Sequence, residues 1–186
     1  EVVNAKRAVV TVPLNVLNSV AFDPPLSSVK QEASDLKHVG GGYKVFFEVD
    51  GDPGAVMTLS RSTNSPLIGS FTYKRGQQHS VLAGFSLEPG ALEKPLSEWQ
   101  TVLEEFLPGV RLLSTFGHDW GGDALSQGSW CTYRPGTFGR FVDELPRPEG
   151  HLVFASGDTS EGWRGFIEGA IASGSKAAVA IAKSLN

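Results

Sequence analysis

The residues with the most specific chemistry lie near the C-terminus, where a glycine-bearing loop (residues 157–162) precedes Trp163, Arg164, Gly165 and Phe166. We predict that these four residues open a long helix. A helix N-terminus carries about half a positive charge and several free N–H groups, so an anion or an electron-rich ring could dock there. Gly165 would let the backbone approach such a group closely. An ordinary buried helix start explains the same pattern.

Three further side chains could take part in chemistry. Lys44 interrupts an apolar run, and it is either buried near a reacting group or a solvent-facing lysine on an edge strand. Trp130 could hold a cationic or electron-poor nitrogen, or it could pack in the core. Asp158 is either a ligand-binding carboxylate or a turn or helix-capping aspartate. The sequence contains no GxSxG elbow, no HExxH pair and no zinc-site spacing of cysteine and histidine.

Composition excludes several classes of protein. The 186 residues include 16 basic and 20 acidic side chains, a net charge of −4, so the basic surface of a nucleic-acid-binding protein is missing. A single cysteine excludes an intrachain disulfide. Since no run of about 18 apolar residues occurs, we expect no membrane span.

Hydrophobic periodicity predicts a fold of mixed strands and helices. Residues 8–12 form a β-branched run that we expect to be a buried strand, and Ser27 or Ser28 can cap a helix running to about residue 37. Further strands are predicted at 43–49, 55–60, 67–73, 79–86, 110–116 and 152–155, and further helices at 95–107 and from about 166 onward. The last helix carries a stripe rich in glycine and alanine (Phe166, Ile167, Ala170, Ile171, Gly174, Ala177, Ala178, Ile181).

Four blocks of the chain resemble segments of one protein family, in that family's order. They are residues 9–17 (VVTVPLNVL), residues 43–45 (YKV), Trp120 with residues 128–130 (GSW), and residues 157–174 (GDTSEGWRGFIEGAIASG). These blocks are similar to segments of the flavin-dependent amine oxidases, and the closest similarity is to the fungal monoamine oxidases. Asn15 stands where the first block of the family usually has glycine.

The resemblance implies a C-terminal part of a larger enzyme. Family members are more than twice as long and open with a glycine-rich Rossmann fingerprint, but no GxGxxG occurs here. We expect a mixed α+β fold, in which an antiparallel or mixed sheet with flanking helices forms a substrate domain. The final strand and helix of an FAD-binding α/β domain would complete it. The predicted divisions are 1–17 (FAD-binding strand segment), 18–135 (substrate-binding domain) and 136–186 (C-terminal part of the FAD-binding domain).

The resemblance also assigns roles to residues. Trp130 and Phe166 match the two positions of the aromatic cage that aligns an amine with flavin N5, and Lys44 matches the lysine that holds a water against N5. We count these three as catalytic. Ser129 stands where some members attach FAD through cysteine, which implies non-covalent FAD. The predicted FAD-binding residues are Pro13, Trp120, Gly157, Asp158, Arg164, Gly165 and Phe166, and no metal is expected.

The implied reaction converts an amine, dioxygen and water to an aldehyde or ketone, ammonia or a smaller amine, and hydrogen peroxide. Alternatives are an L-amino-acid or polyamine oxidase of the same fold, or a non-catalytic binding module. We expect this part alone to be inactive and not to retain FAD, because the ADP-binding portion would be missing. The partners expected are a small amine, dioxygen and that missing portion; a homo-oligomer stays open. With no signal peptide or targeting tripeptide visible, we expect a cytoplasmic or peroxisomal location.

Overall fold

The computed structural model describes residues 1–185, which form two compact units. One unit is Gly41–Gly121, and the other joins Glu1–Gly40 to the chain from Gly122 onward. The strands are β1 (Ala8–Val10), β2 (Tyr43–Asp50), β3 (Met57–Leu59), β4 (Gly69–Lys74), β5 (His79–Ser86), β6 (Leu112–Gly117) and β7 (Leu152–Phe154). The helices are α1 (Ser28–Leu36), α2 (Leu96–Phe106), α3 (Phe138–Phe141) and α4 (Ile167–Leu185), with a 3-10 helix over Leu14–Ser19.

The Gly41–Gly121 unit is a five-stranded antiparallel sheet with one helix. The strand order is β3-β4-β5-β2-β6, so the strands predicted at 55–60, 67–73 and 79–86 form an antiparallel meander and β2 lies between β5 and β6. Because side chains alternate along a strand, Phe47 faces inward and is fully buried against Trp99 of α2, with ring centroids 5.1 Å apart. The opposite face carries Lys44 and Phe46, and Phe46 stacks on Phe116 at 5.1 Å.

The other unit has a smaller sheet. β1 pairs in parallel with β7, with Val9 opposite Val153, and this pair lies next to the 3-10 helix and α1. Its main core contains Leu14, Leu17, Leu26, Ala33, Phe141, Leu145 and Phe154. The strand predicted at residues 8–12 is confirmed in part, but the expected burial is wrong because Val9 is 43% exposed. β7 is the only strand that pairs with β1 among the described residues, so the other edge of β1 is unpaired.

The last helix also departs from its expected burial. α4 begins at Ile167, close to the predicted residue 166, but the prediction that residues 163–166 open the helix is wrong, because Trp163 (φ 51°) and Gly165 (φ 77°) have left-handed backbones in the preceding loop. Only Gly169 and Ala177 along α4 are buried. Ile167 is 82% exposed and Ile171 is 59% exposed. The described chain therefore leaves most of the predicted small-residue stripe uncovered. Among the helices of residues 1–185, none combines the length and apolar character needed to cross a bilayer.

Candidate functional site

The loop between β7 and α4 carries most of the predicted cofactor-binding residues. It folds back on itself, since the Gly165 N–H donates to the Gly157 carbonyl (3.0 Å) and the Ser156 N–H donates to Thr159 Oγ1 (2.9 Å). Gly165 has φ +77°, a left-handed conformation that suits glycine because it has no Cβ. The loop therefore presents bare backbone at Gly157 and Gly165, immediately before Phe166.

Cys131 and Gly165 bring the two predicted cage segments together. A Cβ atom on Gly165 would lie 2.8 Å from the Cys131 Cβ and 3.9 Å from its Cα, so the cysteine fills the space that a side chain would need. Trp130 and Phe166 are the chain neighbours of this pair, which places their Cα atoms within about 13 Å of each other. The two predicted ring positions therefore lie in one neighbourhood.

The Gly40 carbonyl is a main anchor of the Trp130 segment. The Gly40 carbonyl accepts hydrogen bonds from the Ser129 N–H (3.1 Å) and Oγ (2.8 Å) and from the Trp130 N–H (3.4 Å). A Cβ on Gly40 would fall 2.4 Å from the Trp130 carbonyl oxygen. The position therefore requires glycine, and Gly40 positions the Trp130 backbone.

The aromatic side chains at this site are exposed rather than packed. Trp130 is 40% exposed and Phe166 is 64% exposed, so neither belongs to the core of this unit. The alternative in which both are core aromatics is wrong for the described chain. Trp163 adds a third ring, 70% exposed and edge-to-face with Phe166 at a centroid distance of 6.0 Å. Trp163 and Phe166 therefore form an exposed aromatic pair before α4.

Asp158 links three segments of this unit. Its Oδ2 accepts the N–H of Leu14, the first residue of the 3-10 helix (2.8 Å), and its Oδ1 lies 3.6 Å from His38 Nε2. Its backbone carbonyl accepts a hydrogen bond from Arg164 Nη1 (2.6 Å). The carboxylate thus satisfies a helix N–H, as the capping alternative allows, although that helix is distant in sequence.

Burial is the main cause of the pKa shifts of three side chains near Asp158. Burial lowers the pKa of His38 below its ordinary value, although the charge of Asp158 opposes this change. Burial raises the pKa of the Cys131 thiol to about 12, and the Asp158 charge adds to the effect. Burial likewise raises the pKa of Tyr133 to about 12. The imidazole, thiol and phenol are therefore all uncharged at neutral pH.

Sequence reasoning missed Asn15 and His38 as parts of this site. The buried Asn15 accepts the His38 N–H at Oδ1 (2.6 Å), and its Nδ2 donates to the carbonyls of Gln127 (2.7 Å) and His38 (3.3 Å). A Cβ on Gly128 would fall 2.3 Å from the same Nδ2. The signal that could have found Asn15 is its departure from the glycine usual in the family block. For His38, no sequence signal was available.

The remaining predicted site residues lie elsewhere. Pro13 is exposed and precedes the 3-10 helix, where its carbonyl accepts the Val16 N–H (3.1 Å). Lys44 and Trp120 belong to the Gly41–Gly121 unit. Lys44 is exposed, as the solvent-facing alternative predicts, but β2 is an interior strand rather than an edge strand. Trp120 is 48% exposed and lies edge-to-face with His118.

Comparison with known proteins gives a family match. Residues 1–182 match the model of flavin-containing amine oxidoreductases. The chain is 39% identical to a pseudooxynicotine dehydrogenase of a Pseudomonas species, over 97% of this chain and 37% of that protein. It is 30% identical to a nicotine dehydrogenase of Pseudomonas putida, over 95% of this chain and 37% of that protein. The chain therefore spans well under half the length of these relatives.

A solved structure gives the same fold. The cyclohexylamine oxidase of Brevibacterium oxydans superposes with a TM-score of 0.79 at 22% sequence identity, covering 96% of this chain and 43% of that one. The superposition supports the mixed arrangement of an antiparallel sheet, a parallel strand pair and flanking helices.

The residues present fit the flavin that this family binds. Trp130 and Phe166 offer exposed ring faces, and Gly157 and Gly165 offer bare backbone. The first N–H groups of α4 have no acceptor within the helix. A planar group with one apolar face and one electron-rich edge would match these three features.

Proposed function

The chain belongs to the flavin-containing amine oxidoreductase family, and we propose that it forms the substrate domain and the flavin-edge segment of an amine-oxidising enzyme. The complete enzyme would include an N-terminal portion that binds the ADP half of FAD. The observation that supports this proposal is the contact between Cys131 and Gly165, whose chain neighbours Trp130 and Phe166 both have exposed rings.

Bound FAD would supply hydride acceptance at its N5 atom, with the non-covalent attachment that Ser129 implies. Trp130 and Phe166 would form a slot for an uncharged amine and orient its α C–H bond. Neither ring brings a hydroxyl group, so their contribution to the binding of an uncharged amine is orientation. Positive charge at Arg164 and at the N-terminus of α4 would favour the negative charge that flavin gains. Water would then hydrolyse the imine product.

We base the proposed substrate class on the names of the relatives. Two of them are named for nicotine and pseudooxynicotine, so we propose an amine that bears an aromatic ring. An L-amino-acid oxidase would need an arginine for the substrate carboxylate. The candidates are Arg61, Arg75 and Arg134; Arg75 is paired with Asp52 through Nη2 at 2.7 Å, which leaves Arg61 and Arg134 for this role. A polyamine oxidase would need acidic residues along its substrate tunnel.

The test is anaerobic mixing of the full-length, flavin-loaded protein with single amines, followed by flavin absorbance. Bleaching by nicotine-like amines is expected, with slower or no bleaching by putrescine or amino acids. Bleaching only by amino acids or only by diamines would select the corresponding alternative. A full-length protein with bound flavin that no amine bleaches would contradict the proposal.

The electron acceptor is a separate part of the proposal. We propose dioxygen, because Lys44 matches the position that holds a water near flavin N5, while the two relatives are named dehydrogenases. Peroxide yield after air is admitted to the reduced protein measures this directly. One peroxide per flavin reduced is the expected result, and slow reoxidation without peroxide would point to another acceptor.

A further inference from the structure

Three side chains with different donor atoms converge behind the Trp130 and Phe166 segments. His38, Cys131 and Asp158 each offer one ligand atom, and these atoms all lie within 4.8 Å of one another. His38 Nε2 lies 3.6 Å from Asp158 Oδ1. Two ligands bound at about 2.0–2.1 Å to one tetrahedral ion lie a little over 3 Å apart, so this spacing is close to that of a metal site.

The histidine in this cluster is buried, and the hydrogen-bonding capacity of its two ring nitrogens is not satisfied. The His38 side chain is 5% exposed. Neither ring nitrogen has a hydrogen-bond partner of normal geometry among the described residues, although the Thr132 backbone is close enough to raise the pKa of the ring. Tyr133 contacts the ring edge-to-face, with ring centroids 4.7 Å apart. Buried polar atoms without a partner are rare in native proteins and often mark an ion or a water. His38 therefore points to a ligand between itself and Asp158.

We propose that His38, Cys131 and Asp158 bind a thiophilic divalent cation of the Zn²⁺ type, with water as the fourth ligand. The donor set of imidazole nitrogen, sulfur and carboxylate oxygen is one that zinc accepts, and sulfur disfavours calcium and magnesium. On binding, the Cys131 thiol releases its proton to solvent and the sulfur forms a bond to the ion. No bound flavin is needed for this step.

The surroundings orient two of these ligands. Asp158 Oδ2 accepts the Leu14 N–H (2.8 Å), which leaves Oδ1 toward His38. The His38 backbone N–H donates to Asn15 Oδ1 (2.6 Å), so the residue is anchored from behind. Hydrogen bonds from neighbouring residues to metal-binding side chains fix the orientation of those side chains. Arg164 opposes the cation by its charge, although the same charge favours the thiolate form of Cys131.

Binding at this site would connect the segments that carry the cage. Cys131 follows Trp130 directly, and Asp158 lies in the loop that leads to Phe166. His38 lies two residues before Gly40, whose carbonyl holds the Trp130 segment. An ion bonded to all three ligands would therefore join three stretches of chain that are separated in sequence.

The test uses the full-length protein, stripped of metals, equilibrated with Zn²⁺ and freed of loosely bound ion. Zinc per chain is measured by mass spectrometry for the wild type, Cys131→Ser, His38→Gln and the control His79→Gln, which changes a half-exposed histidine outside the cluster. Alkylation of Cys131 by iodoacetamide, followed by peptide mass mapping, is measured with and without Zn²⁺. Circular dichroism checks that each variant is folded.

The wild type and His79→Gln should hold one more zinc per chain than Cys131→Ser and His38→Gln. Zn²⁺ should slow alkylation of Cys131 at least about tenfold in the wild type, since a metal-bound thiolate is a poor nucleophile. Equal zinc content in the wild type and folded Cys131→Ser, or alkylation that Zn²⁺ does not slow, would overturn the proposal. If His38→Gln does not fold, the Cys131→Ser and alkylation results decide.

Discussion

The two long helices of this protein have similar apolar stripes but very different surroundings. In α2, Trp99 and Leu103 are completely buried against the five-stranded sheet. In α4, Ile167 and Ile171 are 82% and 59% exposed, and the neighbouring strand pair offers only β1 and β7. At 1.5 Å per residue, a 19-residue helix is about 28 Å long, whereas three-residue strands span about 10 Å.

The difference shows that an apolar stripe predicts where a helix forms but not how much of it is covered. α2 meets a sheet wide enough to bury its stripe, and the strand pair beside α4 is too small to do so. The relatives are much longer than this chain. We therefore expect their additional length to include the segments that cover α4, in line with its predicted place in an FAD-binding domain.

The largest expected effect is in the covered core. Phe47→Ala removes a fully buried ring that packs on Trp99, and we expect the free energy of unfolding to fall by about 3–5 kcal/mol. Urea denaturation of the chain measures this loss. The control Met57→Ala changes a side chain that is 78% exposed and should cost under about 0.5 kcal/mol. Equal losses of unfolding free energy for the two variants would mean that Phe47 is not buried in a packed core.

A buried lysine should give the largest loss in the other unit. Lys30 Nζ donates to the carbonyls of Glu144 (2.8 Å) and Arg147 (2.9 Å) and pairs with Glu149 Oε1 (2.9 Å). Lys30→Met removes the charge that faces Glu149 and one donor from each carbonyl, although Ser27 Oγ still donates to Glu149 Oε1 (2.6 Å) and the Arg147 N–H to the Glu144 carbonyl (3.1 Å). Unfolding should become easier by about 2–4 kcal/mol. Thermal unfolding compared with the exposed control Lys183→Met checks the result. If Lys30→Met is as stable as the wild type, the hydrogen bonds and ion pair of Lys30 do not contribute to stability.

His38 should make the same unit sensitive to acid. Its pKa is lowered by burial, with Asp158 and Arg164 as the charges that face it. The unfolded chain therefore takes up a proton first as the pH falls below about 6.5, and stability present above that pH is lost toward the folded-state pKa. The free energy of unfolding of the metal-free protein should decline as the pH falls below about 6.5. His38→Gln should flatten this decline, whereas His79→Gln should leave it unchanged. Identical pH profiles for the two variants would argue that His38 is not the source of the acid sensitivity.

The smallest expected effect is on the open helix. Ile171→Ser changes a 59% exposed residue of α4 and should alter the unfolding free energy of this chain by under about 0.5 kcal/mol. In the full-length protein the same change should cost more than 1 kcal/mol if added segments cover the stripe. Denaturation of both forms compares the two values. A small cost in both would mean that the stripe stays exposed.

Local periodicity was enough to place most elements. The alternation in β2 and the i, i+3, i+4 spacing of α2 both match the structure, because one buried face fixes each pattern. The burial of β1 could not be predicted, since it depends on which strands lie beside it. The cluster of His38, Cys131 and Asp158 was also out of reach, because its members come from three distant segments and meet only in the fold. The roles of Trp130, Phe166 and Lys44 came from resemblance and stay predictions.

The most direct test of the account is the rate at which an amine bleaches the flavin of the full-length protein when Trp130 and Phe166 are both changed to alanine. Flavin binding should persist, while flavin reduction should slow by about 100-fold, because misplacing the reacting atoms has a cost of this size. Restoring one ring at each position, as Trp130→Tyr with Phe166→Tyr, should recover most of the rate, and Leu125→Ala should leave it unchanged. A double alanine variant that is reduced as fast as the wild type would contradict the proposed aromatic cage.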